Sequence, residues 1–231
     1  MKRAGSNEQK EYFSSPDEKY HLRAVGSDSR KDIADIELQF PELMDDIKLP
    51  FFFDKGKYFS SVLRVGSAGV QLWTHYDIMD NLLVQVRGRK RAILFPPSDA
   101  SYLYLNGDKS EIVDPEKPDL ERYPLFSKAH AFMGLMEPGD VLFIPALWFH
   151  NMHALEFSVA VNLFWKHLED SFYDKKDIYG NKDLVQAQRA FQTMDKSLQV
   201  LKGLPRDYED FYIRRMISTL QSKLLDRKDK D

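Results

Sequence analysis

Two histidines and one aspartate in this chain are spaced so that they could grip a single metal ion. In the run Trp73-Thr74-His75-Tyr76-Asp77, residues two apart on a strand point to one face, so His75 and Asp77 can reach one ion together. A His-x-Asp pair alone arises by chance in many chains. The second half is Glu137-Pro138-Gly139-Asp140 followed by Val141 to His150. It reads as a turn, a buried strand, a break at Pro145 and a second strand that delivers His150 inward. Two imidazoles and one carboxylate on one side of an ion leave three adjacent coordination positions open. That is the facial arrangement of non-haem Fe(II) sites, where a co-substrate and O2 bind side by side. A zinc hydrolase or a structural metal is the competing assignment. Zinc usually prefers a tetrahedral shell with one open position, and it supplies no electrons for O2 activation.

Two further residues bear on the co-substrate. Asn81 lies four residues after Asp77, and Lys90 follows the Arg87-Gly88 turn. If that turn is a two-residue hairpin loop, Lys90 stands opposite Gln85, on the face that carries Leu83 and Asn81. An ammonium and an amide would then share the metal-facing wall. A buried lysine without an acidic neighbour is costly unless an anion pairs with it, and the distal carboxylate of 2-oxoglutarate is a suitable anion. The bland alternative is that Lys90, one of four cations with Arg87, Arg89 and Arg91, belongs to a solvated turn. His130, His153 and His167 read as structural or exposed, Trp148 and Trp165 as wall packing, and Asn162 as an inward residue near the metal.

The elements that must position these groups are short strands. Lys19 to Val25, Tyr58 to Val65, Val70 to Thr74, Leu82 to Val86 and Arg89 to Phe95 are rich in β-branched, aromatic or aliphatic residues, with Gly or Pro near their ends. Lys31 to Phe40 reads as a helix. Asn106 to Pro124, charged and proline-rich, reads as a long excursion. Strands resume at Ala131 to Met136, Asp140 to Ile144, Trp148 to His153 and Glu156 to Trp165. This pattern predicts a mainly β fold, an all-β barrel or sandwich. Beyond Lys166 the period changes. Leu184, Ala187, Phe191, Met194, Leu198 and Leu201 form one helical stripe, and Tyr208 to Leu224 a second. Gly203 and Pro205 separate them. The pair either packs on the barrel or joins two chains, since the first stripe is nearly heptad-regular. The expected organisation is a polar segment over 1–17, a β domain over 18–170 and a helical region over 171–231.

Composition narrows the rest. The chain has 231 residues, 43% of them hydrophobic and 13% aromatic, which suits one folded domain with a small appendage. It has no cysteine, so disulfides and thiolate-bound zinc are excluded and any metal must rest on His, Asp or Glu. The formal charge of −3 announces no global field, and an RNA partner would need a local basic patch. The first residues have no apolar run behind their charges, and Val141 to Phe149 is too short to span a bilayer. The expectation is an intracellular, cytoplasmic protein with no membrane partner.

Taken together, Thr74-His75-Tyr76-Asp77, Asn81, Lys90 and the Pro138-Gly139-Asp140 to His150 segment resemble the JmjC branch of the Fe(II)/2-oxoglutarate oxygenases. Leu72 to Asp77, Phe143 to Asn151, Asn162 to His167 and Tyr173 to Asp183 look like its tRNA-modifying members, so the similarity runs from about Asp17 to near the C-terminus. The resemblance implies a double-stranded β-helix, a cupin-like jelly roll, ahead of the helical pair. It implies His75, Asp77 and His150 as Fe(II) ligands, with Asn81 and Lys90 on 2-oxoglutarate. It also implies hydroxylation of the side chain of wybutosine in phenylalanine tRNA, next to the anticodon, with O2 as oxidant, and a homodimer through the C-terminal helices. Two departures stand out. An early-strand tyrosine that touches 2-oxoglutarate in the family falls here on His21, beside Tyr20. The family also carries a substantial region ahead of this strand, so a shortened N-terminus is expected. Two other readings stay open, a JmjC protein hydroxylase and a non-enzymatic interaction protein. For tRNA, the candidate cations are Lys2, Lys10, Lys55, Lys57, Arg64, Arg87, Arg89, Arg91, Lys128, Arg214 and Arg215.

Overall fold

The alternation in Tyr58-Phe59-Ser60-Ser61-Val62-Leu63-Arg64-Val65 sets the plan of the molecule. In a computed structural model, which describes residues 18–46 and 54–228, this run is strand β2, Tyr58–Gly66. Its odd-numbered residues Ser61, Leu63 and Val65 face one way, and Ser60, Val62 and Arg64 the other. The 1–17 segment and the cations Lys2 and Lys10 lie outside the described residues.

The other strands are β1 (His21–Arg23), β3 (Gln71–Tyr76), β4 (Asp80–Arg87), β5 (Lys90–Phe95), β6 (Leu105–Asn106), β7 (Lys109–Ser110), β8 (Phe132–Met136), β9 (Val141–Ile144), β10 (Phe149–Ala154) and β11 (Ser158–Trp165). They form two antiparallel sheets, a five-stranded one ordered β1-β2-β11-β4-β9 and a six-stranded one ordered β6-β7-β3-β10-β5-β8. Between the sheets lie Leu83, Ala92, Met136, Ile144, Met152 and Ala160. Each sheet is also covered on its outer face. Leu63, Leu82, Val161, Leu163 and Trp165 pack under Ala24 and Ile36 from the N-terminal layer. Ile93, Phe95 and Phe149 pack under Leu103, Ile112, Tyr123 and Phe126 from the excursion. The mainly β jelly roll anticipated above is what forms.

The expected helix over Lys31 to Phe40 shrinks to α1, Ile36–Gln39. Aspartates explain the loss, because their side chains offer the backbone turns in place of helix. Asp28 accepts from Arg30 N–H and Asp32 from Asp28 N–H, while Asp35 caps the short helix by accepting from Glu37 and Leu38 N–H.

The Arg87-Gly88 turn is not a hairpin loop. Strand β4 pairs with β11 and β9, whereas β5 pairs with β10 and β8, so the chain crosses from one sheet to the other at this turn. Gly88 has φ +73, and a Cβ there would collide with the carbonyl of Phe157. The buried Gln85 amide does not face Lys90 across a ladder. It donates to the carbonyls of Arg87 and Gly88, each at 2.8 Å, and ties the crossing down.

The chain divides into two compact units, with the boundary between Lys182 and Asp183. The second unit contains α2 (Val185–Leu201) and α3 (Arg206–Lys228), the two helices that the stripes predict. Lys202 closes α2, and the carbonyl of Pro205 accepts from Tyr208 and Glu209 N–H as α3 begins. No residue of α2 is buried, and an apolar groove of about 690 Å³ runs between the helices, lined by Phe191, Met194, Leu201, Tyr212, Met216 and Leu220.

Candidate metal centre

Strand register brings the two histidines face to face. His150 on β10 pairs directly with His75 on β3, and their ring centroids lie 4.3 Å apart. Asp77 follows the last residue of β3 and joins them, its Oδ2 3.5 Å from His150 Nε2. Donor atoms of His75, Asp77 and His150 all fall within 4.8 Å of one another, the one such group of three found among the described residues.

The turn that delivers His150 is tied to the loop that carries Asp77. Leu147, with a positive φ of 69°, donates its N–H to the Asp77 carbonyl at 2.8 Å. Ala146 N–H donates to Asp80 Oδ1 at 2.9 Å. A leucine holds this left-handed backbone only where its surroundings over-determine it. The two hydrogen bonds that hold Leu147 there therefore also tie the two halves of the donor set together.

These three residues fit a divalent transition metal. His75 Nδ1 lies 2.9 Å from the Trp73 carbonyl and His150 Nδ1 3.1 Å from the Trp148 carbonyl. A carbonyl only accepts, so each Nδ1 carries the proton and each Nε2 keeps its lone pair for a metal. Burial pushes His150 down to about 4, with His75 adding to the effect, so its imidazole is neutral, the ligating form.

The donors sit in a narrow cavity of about 30 Å³ that is also lined by Arg64, Asn81, Lys90 and Asn162. Lys90 therefore reaches the metal-facing wall, by a different route from the hairpin expected. Its partners across β10 and β8 are Ala154 and Met136, and alternation along β5 puts Lys90, Ala92 and Leu94 on the inner face. Burial, reinforced by Arg64, pulls the Lys90 ammonium down to about 8. Asn81 is buried and accepts from Asn162 Nδ2 at 3.0 Å, while Asn162 Oδ1 accepts from Arg64 Nε at 2.7 Å. This relay uses the Asn81 oxygen and leaves its NH2 as the donor toward the cavity.

Arg64 changes role most. Counted above among possible surface cations, it is largely enclosed, pushed down to about 10 by burial and by Arg23 and held up by Asp77. A signal was available, since Arg64 is the lone charge in the nine-residue β2. Arg89 and Arg91, by contrast, are at the surface, engaged by Glu156 and Glu116.

A wider cleft of about 480 Å³ adjoins the cavity and shares Arg64, Leu72, His75 and Asp77 with it. His21 lines this cleft and not the inner cavity, beside Arg23, Trp73, Lys109 and Tyr179. Partial burial lowers the His21 pKa, with Arg64, Lys90 and Arg23 adding to the effect. His130, His153 and His167 line neither space. Trp165 is wall packing, buried with Leu63 and Leu82. Trp148 packs partly against the inter-sheet core.

A family model described as a cupin-like domain matches residues 4–171, which with the two-sheet fold makes this a cupin-like protein. The tRNA wybutosine-synthesizing protein 5 of Gallus gallus is 56% identical over 96% of this chain and 70% of its own length. That of Homo sapiens is 57% identical over 96% of this chain and 71% of its own length. The chain belongs to the tRNA wybutosine-synthesizing protein 5 family. It is also 36% identical, over 88% of its length, to 20% of the much longer tRNA wybutosine-synthesizing protein 4 of Gibberella zeae. No helix among the described residues is long and apolar enough to cross a membrane.

Proposed function

We propose that this chain is an Fe(II)- and 2-oxoglutarate-dependent dioxygenase that hydroxylates a wybutosine-type modified guanosine in phenylalanine tRNA. The family membership supports the tRNA substrate. The observation that carries the chemistry is the cluster of His75, Asp77 and His150 in one cavity with the buried cation Lys90. Bound iron would supply the oxidation, by which a C–H of the substrate, O2 and 2-oxoglutarate become C–OH, succinate and CO2.

The chain's own residues hold and orient. His75 and His150 would hold the metal through Nε2 and Asp77 through its carboxylate, three protein donors that would leave the rest of its shell to the 2-oxo acid and O2. The Lys90 ammonium pairs with the distal carboxylate of 2-oxoglutarate, which offsets the cost of its own burial. The Asn81 amide, oriented by Asn162 and Arg64, donates to the same co-substrate. His21, which lines the adjoining cleft, adds a ring N–H hydrogen bond in this reading. The cleft then receives the modified base, with His75 and Asp77 on its wall.

The apolar groove between α2 and α3, and the absence of any buried residue on α2, support a homodimer through these helices. The deciding experiment is mass spectrometry of tRNA nucleosides after incubation of the protein with tRNA, Fe(II), 2-oxoglutarate and O2. A gain of one oxygen on the wybutosine-type base is expected. Hydroxylation of a peptide with unchanged tRNA would move the assignment to a protein hydroxylase.

A further inference from the structure

The cavity and cleft carry more positive charge than a metal and one co-substrate use. Arg23, Arg64 and Lys90 all line these joined spaces, and among the described residues no carboxylate lies within 4.0 Å of any of the three. Two acids act on Arg23 from further away, Asp77 and Asp177. Asp77 is committed to the metal in the reading above. Asp177 uses both oxygens to hold its own loop, accepting from the N–H of Tyr179 at 3.2 Å and from Gly180 and Lys182 at 2.9 Å each. In that reading Lys90 would be matched by the distal carboxylate of 2-oxoglutarate. Arg64 then keeps no carboxylate of its own, and Arg23 has only the more distant Asp177, which makes no ion pair with it.

Arg64 at least spends its Nε–H on Asn162. Arg23 does not, because its Nε is buried and has no hydrogen-bond partner. The guanidinium is nevertheless held in place. It lies 5.0 Å over the Tyr179 ring, and Nη2 donates to the Tyr179 carbonyl at 3.2 Å. A buried, oriented and unsatisfied charged donor costs stability unless something in the working protein completes it. An anionic oxygen is the partner that a guanidinium edge fits best.

We propose that Arg23 is the receptor for an anionic oxygen group of the substrate, bound in the wider cleft while the carbon to be oxidised faces His75 and Asp77. This rests on the proposed metal centre and extends it to substrate selection. The anion is a carboxylate on the modified base or a phosphate of the RNA chain, which share this chemistry. Trp73, 52% exposed at the cleft, gives an aromatic base a flat neighbour, with Lys109 4.8 Å from its ring centroid.

The test uses the whole chain loaded with Mn(II), a redox-silent ion, and saturated with 2-oxoglutarate. Its affinity is measured for an anticodon stem-loop RNA carrying the wybutosine-type base as free acid, as methyl ester, and with a neutral methylphosphonate at each flanking phosphate. Wild-type protein is expected to prefer the charged form at one of these positions by about tenfold or more. Arg23→Gln should shrink that preference to about twofold or less, and Arg23→Lys should keep part of it. A ratio of two ligands is unaffected if the variant merely loosens the Tyr179 loop. The position at which the preference collapses says whether carboxylate or phosphate is bound. In parallel, on protein loaded with the diamagnetic ion Zn(II), the Arg23 Nε–H resonance, assigned by its loss in Arg23→Lys, is followed while acetate and then inorganic phosphate are added. A saturable shift with no RNA binding would keep the anion site and remove the RNA reading. If the resonance ignores both anions and no charge preference depends on Arg23, the proposal is overturned.

Discussion

Replacing Lys90 with methionine should move stability and co-substrate binding in opposite directions. Burial lowers this lysine from 10.5 to about 8, a penalty on the charged form of about 3 kcal/mol at full weight. Lys90 keeps some solvent contact, so about 1–2 kcal/mol is the fairer figure. Methionine matches the four-atom stem of the side chain and removes the ammonium. Lys90→Met should therefore raise the Tm of the metal-free protein at pH 7 by about 2–8 °C. The sign against pH follows from linkage. The folded state binds fewer protons than the unfolded one between about pH 8 and 10.5, so wild-type stability rises with pH across that window. The gap between variant and wild type is thus widest below pH 8 and closes toward pH 10.5. Binding goes the other way. Loss of a charge-assisted contact of about 1.5–3 kcal/mol should weaken 2-oxoglutarate by about 10- to 150-fold. Wild-type affinity should itself fall as pH rises above about 8. Calorimetric scans and titrations across pH 6.5 to 10.5 read both quantities on one preparation. A variant that melts lower and binds 2-oxoglutarate as well as wild type would refute the reasoning and remove Lys90 from the co-substrate site.

His75→Ala and Asp77→Ala should each abolish Mn(II) binding by titration and iron-dependent decarboxylation of 2-oxoglutarate, whereas His153→Ala, outside the cavity, should leave both largely intact. Gly88→Ala should destabilise by about 2–4 kcal/mol in urea unfolding, because φ is +73 and the new Cβ meets the Phe157 carbonyl. An unchanged midpoint would show that the crossing can relax. Met194→Asp with Leu220→Asp in the α2–α3 groove should convert a dimer to a monomer in light scattering, and a dimer that survives both substitutions would place the interface elsewhere. Affinity for phenylalanine tRNA should fall steeply with salt as counterions are released, while a flat salt profile would argue against phosphate contacts.

Features with a local cause were legible in the chain itself. The side-chain period of a strand is two, so His75 and Asp77 had to share a face wherever β3 lay. Most strand bounds follow from the same period, as do the two helices from theirs. Where local chemistry competed, as with Asp28, Asp32 and Asp35, periodicity alone overestimated a helix. What a residue meets across space was not legible, because pairing depends on partners far along the chain. Lys90 illustrates this, since its inward direction was anticipated from a hairpin that does not exist. It reaches the cavity because β5 leaves β4 at Gly88 and joins β10. Arg23 illustrates it further, since a three-residue strand carries no pattern that marks one side chain as buried. The sequence by itself determined the donor types, their spacing and the alternation that aims them. Only the tertiary structure decided that β10 would set His150 opposite His75. It likewise decided that Arg64, Asn162 and Asn81 would link into one relay and that Arg23 would be left with an unused donor, because each depends on strands brought together from distant parts of the chain.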